Sequence, residues 1–336
     1  MRKSVVGIVG IATLLCAVAI VLFLFMPGVN YARSWPAKPI TIVVGGPAGG
    51  TADILARLMS EHLAKSLGQP VVVEPRPGAA GVISVHALLS APHDGHTILL
   101  TQKGIVSETP LAIKVNFDPF KDLKPLIQVA QTSLMLVGNT DLPERTLKAL
   151  IADIKNHPGK FNYASYATGM RGHTMGIQLN QLAGIDMGHV GYKGSPPALQ
   201  DVMGGHVPLA FDGAATSIPL VKAGKLRAYA IASANRAVAL PEVPTFAELG
   251  FPEMAKASWM ALWTPPDVPA DVQEKIRDAA AEVVKNEHYR ERVQALGMES
   301  GEPVSSEALV KDARESFDEQ AALLKSIGFS MGAGSN

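Results

Sequence analysis

Ile40-Thr41-Ile42-Val43-Val44-Gly45-Gly46-Pro47-Ala48-Gly49-Gly50-Thr51-Ala52-Asp53-Ile54-Leu55 is the stretch on which the fold turns. Its first five residues are all β-branched, the composition of a strand. Gly45 to Gly50 cannot continue that strand and forms a loop. From Thr51 onward Ile54, Leu55, Leu58, His62 and Leu63 recur at helical spacing, and Gly68 stops the helix. Strand, glycine loop and helix in that order are the opening of a βαβ unit.

The same rhythm runs outward. Val71-Val72-Val73 reads as a strand, Pro75 to Gly81 as its loop, Val82 to Leu89 as a helix and Thr97 to Thr101 as a strand. Strands follow at Leu134 to Val137, Phe161 to Ala164, Val207 to Phe211 and Leu226 to Ala232. Helices are expected at 147–155, 172–183 and 196–203, and they dominate after Pro269. Alternation of this kind implies mostly parallel sheets covered on both faces. No repeat of 20–50 residues is present, and 331–336 reads as a tail.

The glycine loop invites a nucleotide reading, which its spacing rejects. A P-loop needs Lys after its second glycine, and Thr51 stands there. A dinucleotide fingerprint needs glycines at relative positions one, three and six, and no frame supplies them. What remains is physical: glycines let backbone approach a ligand, and a helix start presents N–H groups at the positive end of a dipole. The bland alternative is a tight turn, with Asp53 an early helix acid. Pro75-Arg76-Pro77-Gly78-Ala79-Ala80-Gly81 repeats the theme, as does Tyr163-Ala164-Ser165-Tyr166-Ala167-Thr168-Gly169-Met170-Arg171-Gly172-His173. All three loops fall after strands, at the carboxyl ends where open α/β sheets bind ligands.

Catalytic and metal readings find little support. The sequence has no Gly-x-Ser-x-Gly elbow and no His-Glu-x-x-His. His93-Asp94-Gly95-His96 could chelate on paper, but Gly95 argues for a turn. His173 and His189 read as structural, and Trp259 and Trp263, four apart on a strand, as core packing on one face.

Arg2 and Lys3 precede a run without charge from Ser4 to Ala32, and Val5 to Met26 is almost wholly apolar. This is the pattern of an export leader, with Ala32-Arg33-Ser34 as the cleavage site. The run is long enough, at about 20 residues, for an uncleaved anchor to be the alternative. The one cysteine, Cys16, lies inside it, so residues 35–336 can form neither disulfide nor thiolate metal site. Those 302 residues suffice for two ordinary lobes. The 30 basic and 30 acidic side chains balance, which argues against nucleic acid or an anionic membrane surface as partner.

One ordered set of motifs is specific. Trp35-Pro36-Ala37-Lys38-Pro39-Ile40, the loop ending at Asp53, Arg76-Pro77-Gly78-Ala79 and Asp94-Gly95-His96-Thr97 come first. Phe117-Asp118-Pro119-Phe120-Lys121-Asp122, Asn162-Tyr163-Ala164-Ser165 and Tyr192-Lys193-Gly194-Ser195 follow. Phe211-Asp212, Lys222-Ala223-Gly224-Lys225-Leu226-Arg227 and Pro241-Glu242-Val243-Pro244-Thr245 complete it. In this set and its order the chain resembles the Bug, or tripartite tricarboxylate transporter receptor, family of substrate-binding proteins, over nearly all of residues 35–336.

The resemblance implies an α/β, two-lobed periplasmic binding protein of type II-like architecture with a ligand cleft between the lobes. The first lobe is expected at 35–135 and 256–330, the second at 136–255. It implies a monomer without cofactor or metal that captures a small organic anion and delivers it to membrane permease subunits. A sensory receptor, or less favoured an enzyme of organic-acid metabolism, is the alternative. The expected ligand contacts are Pro47, Ala48, Gly49, Gly50, Thr51 and Asp53 in the first loop and Gly78, Ala79 and Ala80 in the second. The third loop supplies Ser165, Ala167, Thr168, Gly169, Met170 and Arg171, and Lys103 and Asp212 complete the set. Arg171 falls where the family is typically uncharged, and Lys103 looks similarly unusual. Arg171 or Lys103 is expected to meet a second acidic or strongly polar group on the ligand, the bland alternative being that Arg171 points outward into solvent.

Overall fold

The computed structural model describes residues 35–326. The leader, its cleavage site and the tail at 331–336 lie outside the described residues. Eleven strands among them form two sheets. The first holds β1 (Ile40–Val44), β2 (Val71–Pro75), β3 (Thr97–Gln102), β4 (Lys124–Thr132), β10 (Ser258–Thr264) and β11 (Glu299–Ser300), in the order β11-β4-β10-β3-β1-β2. The second holds β5 (Leu134–Gly138), β6 (Phe161–Ser165), β7 (Met187–Gly191), β8 (Leu209–Gly213) and β9 (Arg227–Ile231), in the order β7-β6-β8-β5-β9. The chain passes from the first sheet to the second at Ser133, between β4 and β5, and returns before β10.

β1 pairs parallel with both β2 and β3, with Ile42 opposite Val73 and Ile98. β6 pairs parallel with β7 and β8. Helices α1 (Thr51–Leu67) and α2 (Val82–Leu89) follow β1 and β2, and the short α3 (Gly104–Ser107) and α4 (Thr109–Ala112) follow β3. The second sheet carries α5 (Leu147–Asn156), α6 (Arg171–Ala183), α7 (Ser195–Met203) and α8 (Ala214–Lys222). The chain ends with α9 (Ala270–Lys285), α10 (Glu287–Ala295) and α11 (Ser306–Ser326).

Why the strands read as unbroken apolar runs is visible in β5. Leu136 packs into one core with Tyr163, Phe211 and Tyr229, while Met135 and Val137 pack into another with Ala164 and Ala210. Alternate side chains face opposite sides of a sheet, and here both sides are buried although β5 runs antiparallel to β8 and β9; with β10 antiparallel to β3 and β4, the sheets are mixed and not mostly parallel as the alternation implied. In the first sheet Val43, Leu99, Trp259 and Trp263 share one core. The two indoles stack with centroids 5.7 Å apart, so the packing reading of that pair holds. Strands β4 and β7 and helix α8 were not anticipated from sequence. Pro219 sits inside α8, where proline ordinarily argues against a helix.

His93-Asp94-Gly95-His96 forms a turn with Gly95 at φ 81°. Asp94 accepts the His96 N–H at 3.0 Å and pairs with Lys38 at 3.0 Å. Those two contacts and the hydrogen bond from the His96 ring hold its carboxyl down near 2 despite burial.

Candidate functional site

The loops at the carboxyl ends of β1, β2, β6 and β7, with the last residues of β3, β4 and β8, line a single cleft of about 280 Å³. Both sheets contribute. The two halves touch around its rim: a side chain on Gly194 would collide with Pro47, and one on Gly169 with Ala112. A Cβ on Gly213 would stand 2.9 Å from the Thr51 hydroxyl.

Several helices begin at this cleft, and they are not equivalent. In α1 the first intrahelical bond runs from the Ile54 N–H to the Gly50 carbonyl at 3.0 Å. The N–H groups of Thr51 and Ala52, both on the lining, therefore have no partner within the helix. In α8 the Ala214 N–H is taken by the Ser133 carbonyl at 2.9 Å, and Ala215 follows it on the lining. Helix α7 begins Ser195-Pro196-Pro197, and its two prolines carry no donor. Helix α6 is already capped. The Arg171 N–H donates to the Glu108 carboxylate of the other lobe at 2.8 Å, and Glu108 is 5% exposed. Burial raises the Glu108 pKa, opposed by the charge of Arg171, this hydrogen bond and the charge of Lys103.

The sequence-predicted contacts divide accordingly. Pro47, Gly50, Thr51, Gly78, Ala79, Ala80, Ala167, Thr168 and Met170 all line the cleft. The rest do not. Ala48 and Gly49 are exposed on the outer turn of their loop. Asp53 is buried in clamping that loop, accepting the Gly49 N–H at 2.9 Å and the Arg57 Nε at 2.9 Å. Lys103 turns to Asp312 on α11 at 2.9 Å, an acid that also accepts the Trp259 indole N–H at 2.6 Å. Arg171 donates from its guanidinium to the Lys256 carbonyl at 2.7 Å. Both cations, expected to meet an acidic group on the ligand, thus have partners in the chain itself, Lys103 in Asp312 and the Arg171 guanidinium in a backbone carbonyl.

Ser165, Gly169 and Asp212 act one layer beneath the lining. Ser165 Oγ lies 2.7 Å from His189 Nε2, and the Gly169 N–H donates to His173 Nδ1 at 3.0 Å. The two imidazoles stack at 3.9 Å between centroids. Burial pushes His173 down to about 4 and, with the neighbouring His173, His189 down to about 3, so both rings are neutral at neutral pH. They are the buttress of the third loop. Asp212 is fully buried; burial pushes its carboxyl up to about 6, opposed by hydrogen bonds from Ser195, Thr216, Ser217 and the Gly213 N–H.

Sequence reasoning missed Gly213, Ala214 and Ala215, because α8 itself was not anticipated. It also missed Ile105, Ile113, Met260 and Met298, apolar residues of the lining that carry no motif.

Two mixed sheets whose loops share one cleft define the two-lobed binding-protein class. The chain belongs to the tripartite tricarboxylate transporter receptor family. That family, described as "Tripartite tricarboxylate transporter family receptor", matches residues 55–329. Protein BugT of Bordetella pertussis is 38% identical over 272 residues, 79% of each chain. Among solved structures, Rpa4515 of R. palustris with adipate has a TM-score of 0.85 at 29% identity, covering 88% of this chain and 99% of that one. MatC from Rhodopseudomonas palustris with bound malate has a TM-score of 0.80 at 28% identity, covering 86% and 100%. No helix among the described residues is long and apolar enough to cross a membrane.

Proposed function

We propose that this protein is a periplasmic solute-binding protein that captures a small organic acid between its lobes and delivers it, chemically unchanged, to the permease of a tripartite transporter. The observation that carries the proposal is the convergence of α1 and α8, one from each sheet, on the same cleft. Helix N-termini attract anions through their N–H groups and dipoles. A carboxylate between the amides of Thr51 and Ala52 and that of Ala215 would be held by both lobes at once, coupling occupancy to closure about the crossings near 133 and 256. Arg171, Lys103, Asp53 and Asp212 would support the site without touching the ligand.

The energetics suffice. Hydrogen bonds to a charged group contribute about 1.5–3 kcal/mol each. Four or five of them, after the costs of association, reach micromolar affinity, about 8 kcal/mol. Exclusion of water on closure strengthens each of them. The adipate and malate bound by the two similar proteins agree with an organic acid as cargo.

A thermal-shift screen of mono-, di- and tricarboxylates tests the reading, with small-angle scattering on the best binder. At least one acid should raise the melting temperature, and its saturation should shrink the radius of gyration. Stabilisation by uncharged analogues alone would reject it, as would an acid recovered chemically altered after incubation.

A further inference from the structure

Away from α1 and α8 the larger share of the lining is apolar, with Ile105 and Ile113 of the first lobe, Met170 of the second, and Leu134, Met260 and Met298, among which stand the uncharged polar side chains of Gln102, Tyr166 and Thr168. Methionine walls are polarisable and adapt to apolar shapes, aromatic rings included. A Cβ on Gly104 would meet the Met170 methyl at 2.9 Å and the Glu108 carboxylate at 2.7 Å, so this wall is backed closely by a buried acid. A second buried acid, Asp212, lies behind the α8 end. The two nearest loop cations are engaged elsewhere, the Arg171 guanidinium with the Lys256 carbonyl and Lys103 with Asp312, and the α6 N-terminus is filled by Glu108. Lys193 is the one charged residue of the lining among the described residues. It is exposed, so its ammonium stays in water and draws anions toward the cleft without having to be neutralised inside it.

Resting on the proposal that a carboxylate is bound, we infer that the cargo carries a single carboxylate on a largely apolar body, aliphatic or aromatic, and is not a multiply charged acid. The carboxylate takes the α1 and α8 N–H groups; the body lies against the isoleucines and methionines. A second carboxylate in that part of the cleft would lose its water against a largely apolar wall that offers it no cation.

The test is calorimetric titration of the protein with matched pairs: hexanoate against adipate, and benzoate against phthalate. Acetate and butanoate extend the first pair downward, and 1-hexanol serves as the uncharged control. In at least one pair the monoacid is expected to bind ten times tighter or more than its diacid. Within the aliphatic series affinity should rise about fourfold per buried methylene. Diacids that equal or exceed their monoacids in both pairs overturn the inference and leave the carboxylate reading standing. Binding of 1-hexanol as tightly as hexanoate, or no binding by any acid, overturns both. Met260→Gln should weaken hexanoate about tenfold and leave acetate unchanged; equal losses for the two would contradict the apolar wall. Met298→Gln repeats that comparison from a different element should Met260→Gln fail to fold.

Discussion

The first and third glycine-bearing loops, Gly45 to Asp53 and Ser165 to Arg171, look alike in sequence, yet the fold uses them differently. Each leaves a parallel strand and opens a helix. The first presents the Thr51 and Ala52 amides to the cleft and is tied down from within, by Asp53 accepting the Gly49 N–H. The third presents Ala167, Thr168 and Met170 to the cleft, but its helix start is occupied by Glu108 of the opposite lobe. It rests on a buried histidine pair that no local pattern announces. Strand, glycine loop and helix thus mark where a ligand site can be. Which helix terminus is available depends on partners tens of residues away.

The largest effect is expected where the loops meet across the cleft. Gly194 has φ 111°, and a side chain there would run into Pro47. Gly194→Ala should cost about 1–3 kcal/mol in backbone strain, with about as much again in overpacking. Ligand affinity should fall on the order of a hundredfold, about 2.7 kcal/mol. Gly46 has nothing within 4 Å of its Cβ position and no positive φ, so Gly46→Ala should change stability by less than about 0.5 kcal/mol. Equal effects from the two would break the account of how the lobes touch.

Next is the cap. Glu108→Ala leaves the Arg171 N–H without its acceptor, at a cost of about 1–3 kcal/mol, measured by denaturant unfolding. Glu108→Gln keeps an acceptor oxygen and should retain most of that stability. If alanine and glutamine behave alike and both are neutral, the third helix start is open after all and the contrast between the loops disappears.

The histidine buttress is tested by pH. His173 and His189 are shifted down from 6.5, so the unfolded chain binds more protons than the folded one below that value. Their stabilising contribution is complete above about pH 6.5 and is lost progressively as pH falls toward 4. Asp212, shifted up to about 6, acts in the opposite sense, favouring the folded state as pH falls through about 6 toward 4. His189→Gln should therefore flatten the acid loss of stability, and Asp212→Asn should steepen it. Parallel melting-temperature profiles for wild type and His189→Gln between pH 4 and 7 would place the ring outside the buttress.

A small loss is expected at Asp53. Its ion pair with Arg57 involves a guanidinium that is 57% exposed and contributes little. Asp53→Ala should cost about 0.5–1 kcal/mol, mainly through the lost bond to Gly49.

Much of the architecture was legible because the βαβ rhythm rests on local signals: β-branched runs, helical spacing from Ile54 to Leu63, and glycine stops such as Gly68. The first and second loops were legible for the same reason. The partners of Arg171 and Lys103 were not legible because a cation beside a loop says nothing about which group of the chain it meets. Glu108 lies 63 residues from Arg171, and Asp312 lies 209 from Lys103. Helix α8 was hidden by Pro219, and with it one side of the proposed anion site. The apolar lining was invisible because Ile105, Met260 and Met298 look like any other core residues until the two sheets come together.

The most direct test of the central claim, that α1 and α8 hold the anion while α6 is closed to it, is amide chemical-shift mapping during titration with hexanoate. The Thr51, Ala52 and Ala215 amide resonances should move most, downfield as hydrogen bonds to the carboxylate form, and the Arg171 amide should stay with Glu108 and shift little. A dominant shift at Arg171, with Thr51 and Ala52 unmoved, would contradict the account.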